Sequence, residues 1–175
     1  MARKWLWIIL TVLLILEGTL LQWMIPSVWQ SKVFVAPHFM LVIVLYIGLY
    51  VNRHTALWYG LIFGFLQDLL YYSPMLGPIS FALGLTGYLA GLTHRRLYSN
   101  IVVSMLVIAF GNLFYEVIVY GLYRLFQTTH LDLHWAFFHQ MLPSTLINLL
   151  FALIVYVPVR KLFESMHIAT SAQEE

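Results

Sequence analysis

Six apolar stretches separated by short polar punctuation fill this chain, and they constrain its fold more than any other feature. They run over about Trp5–Ile25, Ala36–Val51, Ala56–Tyr72, Ile79–Leu92, Asn100–Leu125 and Met141–Phe163. A helix needs roughly 20 apolar residues to cross a bilayer, so six would occupy about 120 residues of the 175 present. Only 9% of residues are charged, against about 25% in a soluble domain, too few to build a water-facing surface. This balance excludes an ordinary cytoplasmic enzyme, a disordered regulator and a nucleic-acid binder. It predicts an all-α polytopic membrane protein with six transmembrane helices. Residues 1–165 would form one membrane domain and residues 166–175 a cytoplasmic tail. Cysteine is absent, which removes disulfides, thiolate nucleophiles and cysteine metal sites.

Basic residues set the expected orientation. Arg3, Lys4, Arg53, Arg95, Arg96, Arg160 and Lys161 fall on one side of a six-span arrangement, and only Lys32 and Arg124 on the other. By the positive-inside rule both termini face the cytoplasm. Five spans, with Ile79–Leu92 merged or half-buried, would strand Arg160 and Lys161 outside. The first run resembles a signal peptide in its Arg3-Lys4 start, but its length, Glu17 and lack of a small-residue cleavage site predict a retained helix. Trp5, Trp7, Trp23, Trp29, Trp58 and Trp135 fall near span ends or in loops, as interfacial aromatic belts require. Pro37 is expected in the first turn of the second helix.

Polar residues inside the spans are expensive and therefore informative. A charged acid at the bilayer centre costs on the order of 2.5–3.5 kcal/mol, yet Glu17, Asp68 and Glu116 all fall in the expected outer half. Gly60, Gly64 and Asp68 recur every four residues and share one helix face. Gly84, Gly87 and Gly91 mark a second small-residue face, and the intervening Ser-Pro-Met-Leu-Gly-Pro turn, containing Gly77, suits a tight hairpin. Two closely apposed helices are expected, with Asp68 near the outer end of their contact. Asn112, Glu116 and Tyr120 form one polar row on the fifth span, and Ser144 and Asn148 another on the sixth. Such rows serve either as interhelical clamps or as a path for protons or solutes, with His38 the one base at matching depth. His130, Asp132, His134 and His139 have ligand-type side chains, but their alternation fits no closed metal pattern and reads as a solvated loop. No nucleophile–base pair or phosphate-cradling loop is visible, so neither catalysis nor a cofactor is expected.

The combination of Pro37, the Gly60–Gly64–Asp68 row, the Leu76-Gly77 turn and the Gly87-Tyr88-Leu89 stretch resembles the rod shape-determining protein MreD family. That resemblance implies a component of the bacterial inner membrane in the elongation machinery for the cell wall. Its implied partners are MreC, the MreB filament, and the SEDS glycosyltransferase with its penicillin-binding transpeptidase, besides membrane lipid. It also implies a fold similar to the substrate-binding subunits of energy-coupling-factor vitamin transporters. The expected function is a scaffold that docks partner helices on its small-residue faces. A substrate-binding subunit of a small-solute transporter is the alternative.

Overall fold

A computed structural model describes residues 2–24, 37–71, 75–93 and 101–171. Trp29, Lys32, Ser73 and Pro74 of the turn, Arg95 and Arg96, singled out above, lie outside the described residues. Those described form six helices and no strand: α1 (Ala2–Met24), α2 (Phe39–Tyr50), α3 (Arg53–Leu70), α4 (Pro78–Leu92), α5 (Ile101–Leu125) and α6. The last is composite: Leu133–Ala136 passes through a π-helical turn, Phe137–Met141, into Leu142–Ser171. α5 and the Leu133–Phe163 part of α6 are long and apolar enough to cross a membrane, whereas α2 and α4 are shorter apolar helices.

α2 is the axis of the fold. It carries no polar face, and all its residues from Phe39 to Tyr50 are buried, as a helix apolar all round must be. It touches α1, α3, α4, α5 and α6. At 1.5 Å per residue it is about 18 Å long, well short of a roughly 30 Å hydrocarbon layer. Around it α1 buries Leu6, Leu10 and Leu14 and leaves Ile8, Val12 and Ile15 outward, an amphipathic split between protein and surroundings. Toward the C-terminal end of α2, Tyr50 stacks on Phe163 at 5.9 Å between ring centroids, and the Tyr46 hydroxyl donates to the Ala152 carbonyl at 2.8 Å.

Three boundaries differ from the sequence expectation, each for a local reason. Pro37 stands outside α2 instead of in its first turn. His38, the residue before the helix, has φ −113° and ψ 65°, because its backbone N–H donates to Asn148 Oδ1 at 2.8 Å rather than entering helical geometry. α3 begins at Arg53 because the Asn52 side chain caps it, accepting from the His54 N–H at 3.2 Å. The final helix starts at Leu133, well before Met141, and extends to Ser171, past Ser165. Its π-helical turn precedes Pro143, which has no N–H for the preceding turn and whose ring crowds that turn's carbonyl. Widening by one residue relieves both.

α3 and α4 form the tightest pair. A Cβ built on Gly60 would stand 2.7 Å from the Gly84 Cα, and one on Gly64 would stand 2.6 Å from the Ser80 Cα. A Cβ on Gly91 would reach the Arg53 Cα at 2.5 Å. The neighbour in each case is backbone, so nothing can swing aside. The glycines let the two helices touch main chain to main chain along their length.

Candidate functional site: a buried polar layer

Many of the buried polar side chains of the spans gather at one end of the bundle. Glu17 from α1, His38 before α2, Gln67 and Asp68 from α3, Asn112 and Glu116 from α5, and Ser144 and Asn148 from α6 all lie at this level. Except for partly buried His38, all are buried. His38 is the hub. Its Nδ1 stands 3.6 Å from Glu17 Oε1 and its Nε2 stands 3.3 Å from Glu116 Oε1. The edge of its ring meets the Tyr115 ring at 5.0 Å, and the Tyr115 phenol lies in the field of Glu116, Glu17 and Asp68 together.

Hydrogen bonds extend this hub to the other helices. Glu17 Oε1 accepts from Gln67 Nε2 at 2.8 Å, and Oε2 accepts from the Met40 N–H at 3.3 Å. On the opposite side Asn148 Nδ2 donates to Asn112 Oδ1 at 2.8 Å, and Asn112 Nδ2 donates to the Ile108 carbonyl at 2.8 Å. One layer therefore joins α1, α2, α3, α5 and α6. In hydrocarbon, where water cannot compete, such bonds contribute about 0.6 kcal/mol each. The greater effect is on register, since sliding one of these helices by a turn would leave a buried polar group without its partner.

Asp68 brings in the remaining helix. Its Oδ2 accepts from the Gly77 N–H at 3.0 Å and from the Ser80 N–H at 3.1 Å. Gly77 precedes α4 at φ +111°, a conformation that suits glycine, and has no side chain to cap the helix. The Asp68 carboxylate supplies that cap from the neighbouring helix, where the N-terminal dipole favours a negative charge. Ser80 Oγ in turn donates to the Leu61 carbonyl at 2.8 Å. The spacing that places Asp68 on the glycine face thus sets the carboxylate at the mouth of the α3–α4 hairpin.

Several marked residues behave differently. α4 of the same chain covers the Gly60–Gly64 strip, so no partner's helix can reach it in this structure. Gly87 faces α2 and α3: its Cβ would stand 2.6 Å from Val44 Cγ1 and 3.3 Å from the Ala56 carbonyl. Tyr120 leaves the Asn112–Glu116 row and turns outward, donating to the Leu131 carbonyl and accepting from Arg124, at 2.8 and 2.7 Å. His134 and His139 are helical rather than in a loop. His139 stacks on Trp135 at 4.9 Å, and among the described residues no metal-type cluster of His, Asp and Glu occurs. Gln67 is a member of the layer that the carboxylate-and-glycine pattern passes over. The available signal was an amide next to an acid in an otherwise apolar helix.

Away from the polar layer, a concavity opens between two helices. α4 and α5 splay apart to leave a groove of about 560 Å³, lined by Thr86, Leu89 and Ala90 on one wall and by Phe110, Gly111 and Phe114 on the other.

Comparison with known proteins fits this architecture to a family. A profile of the rod shape-determining protein MreD family matches residues 1–166. The rod shape-determining protein MreD of Bacillus subtilis (strain 168) is 30% identical over 141 residues, 81% of each chain. No solved structure matches. This chain belongs to the rod shape-determining protein MreD family.

Proposed function

We propose that this chain is an integral scaffold of the bacterial inner membrane that holds the rod-shape machinery together without catalysing a reaction. In this reading all six helices lie within the bilayer and both termini are cytoplasmic. The basic Arg53 and Arg160–Lys161 positions mark the inner boundary, and the polar layer lies in the outer half. Residues 1–165 act as one membrane domain, with α6 leaving the bilayer near Lys161 and the tail from 166 in the cytoplasm. The partners are MreC, the MreB filament, and the SEDS glycosyltransferase with its transpeptidase.

The observation that carries this reading is the division of labour between buried and outward side chains. The polar side chains of the layer point inward and bind the chain's own helices to one another. The outward faces of α4 and α5 are apolar, with Phe81, Leu89, Leu106, Phe110 and Phe114 exposed. Hydrocarbon gives helices no hydrophobic reason to associate, so shape carries the choice of partner. The α4–α5 groove, not the covered glycine strip, is then the surface for a partner's membrane helix. A photoreactive residue at Phe110 in intact cells should crosslink to MreC or to the synthase, while one at outward-facing Ile15 on α1 should not. Equal yields from both positions would refute the assignment. A small-solute binding subunit is the second reading, favoured by the enclosed acid–imidazole layer. Mass spectrometry of the purified protein for a retained small molecule tests it.

A further inference from the structure

Two turns on the side of the polar layer, α3–α4 and α5–α6, differ in what they offer to water. The α5–α6 connection is polar, with Arg124, Gln127, Thr128, His130 and Asp132 exposed. The Thr128 hydroxyl closes the end of α5 by donating to the Tyr123 carbonyl at 2.8 Å. The α3–α4 turn is the reverse. No charged residue occurs between Asp68 and Arg95, and the side chains that face outward beside the turn, Leu69, Leu70 and Leu76, are each more than half exposed. Water disfavours such a cluster, and hydrocarbon does not.

The backbone beside this turn finds its partners inside the protein. Gly77 and Ser80 donate to Asp68 Oδ2, Phe81 donates to the Gly77 carbonyl at 2.8 Å, and Pro78 has no N–H to place. At the end of α3 the Tyr71 N–H returns to the Gln67 carbonyl at 3.0 Å. A helix end in water is completed by solvent, whereas this one is completed by a carboxyl group that is itself 1% exposed. Non-helical backbone persists at membrane depth only where its polar groups are satisfied in this way. The heights agree. Met75, Leu76 and Phe81 share a concavity of about 240 Å³ with Leu122 and Phe126, and no polar side chain lines it. The turn therefore stands level with the last apolar residues of α5, Leu125 and Phe126, which are exposed, and below the polar run that starts at Gln127. With 15 residues, α4 is about 22 Å long, short of a roughly 30 Å hydrocarbon layer.

We propose that the α3–α4 hairpin is re-entrant: its turn ends in the hydrocarbon, against lipid acyl chains, and both helices open to the same aqueous face. Asp68 is the internal substitute for the water that such a turn forgoes. The apolar concavity beside Leu76 takes a lipid chain rather than water, because it offers a water no polar side chain. The full crossings are then α1, α2, α5 and α6, and the side on which each terminus lies is unchanged. The proposal rests on the reading of this chain as a membrane protein and not on its partners.

The chain has no cysteine, so single-cysteine variants of the purified protein test this in nanodiscs, which open both membrane faces to water. A charged maleimide should label Leu76→Cys and Leu70→Cys at least about tenfold more slowly than Thr128→Cys, since the reacting thiolate is scarce in apolar surroundings. A bimane attached at position 76 should be quenched by lipids with brominated acyl chains and not by aqueous iodide, and one at position 128 the reverse. Phe110→Cys, on the outward face of α5, is the reference for the membrane reading. Labelling of Leu76→Cys as fast as Thr128→Cys, with Phe110→Cys slow, would mean that the hairpin reaches water, and the proposal alone would fail. Fast labelling at all three positions would sink the membrane reading itself. Slow labelling at position 76 without quenching by brominated chains would put the turn against protein, which also overturns the proposal.

Discussion

α4 packs on α2, α3 and α5 and treats the last two in opposite ways. Toward α3 it closes until main chain meets main chain, with Gly60, Gly64 and Gly91 leaving no room for a methyl group. Toward α5 it stands off and leaves a groove of about 560 Å³ between the two helices. Side-chain size is the difference. The α3–α4 seam is built from glycine and serine, whereas the α5 wall presents Phe110, Leu113, Phe114 and Val117. One helix therefore carries both a finished internal joint and an apolar concavity. Small residues at helical spacing identify a joint, but they do not say whether the joining helix belongs to the same chain.

Substitutions on the two sides of α4 should diverge sharply. The largest effect is expected from Gly64→Leu, whose side chain would have to pass through the Ser80 backbone. Overpacking costs about 1–3 kcal/mol where neighbours can shift, and backbone cannot, so no folded monomer should be recovered on size exclusion. A monodisperse Gly64→Leu protein would break the contrast. Next is Asp68→Leu, which strands the Gly77 and Ser80 N–H groups at about 1–3 kcal/mol each. Asp68→Asn retains an acceptor and should lose less than half as much in thermal unfolding. Equal losses would mean that the charge, not the cap, matters. Smallest is Phe110→Ala, on the groove wall at 69% exposure. It should stay within about 0.5 kcal/mol of the wild type while lowering partner crosslinking in cells.

Much of this was legible in the sequence, and the parts that were not share a cause. Helical class and the outlines of α3, α4 and α5 follow from apolar runs and turn residues. The Gly60–Gly64–Asp68 row and the Gly84–Gly91 row predict two helices in close contact, and the coordinates place them against each other. Spacing could not show that these two rows satisfy one another, because periodicity reports a face and not what covers it. In sequence His38 stands out only as the one base at matching depth. Its place between Glu17 and Glu116 depends on three helices meeting at one level, which no local pattern encodes. Pro37 falls outside the first turn because the His38 backbone N–H donates to Asn148 Oδ1 across the bundle and delays the start of α2. The extension of α6 back to Leu133 was hidden by the polar His130–His134 stretch, which reads as loop until the π-helical turn before Pro143 is considered.

The glycine strip of α3 is closed by α4 within one chain, and Gly60→Ala in protein purified free of partners tests this by sign. On an open helix face alanine stabilises over glycine by up to about 1 kcal/mol. Against the Gly84 backbone, its Cβ at 2.7 Å must force the helices apart. The isolated variant should melt at a lower temperature than the wild type. A melting temperature at or above the wild type would show that the strip stands open and waits for another molecule.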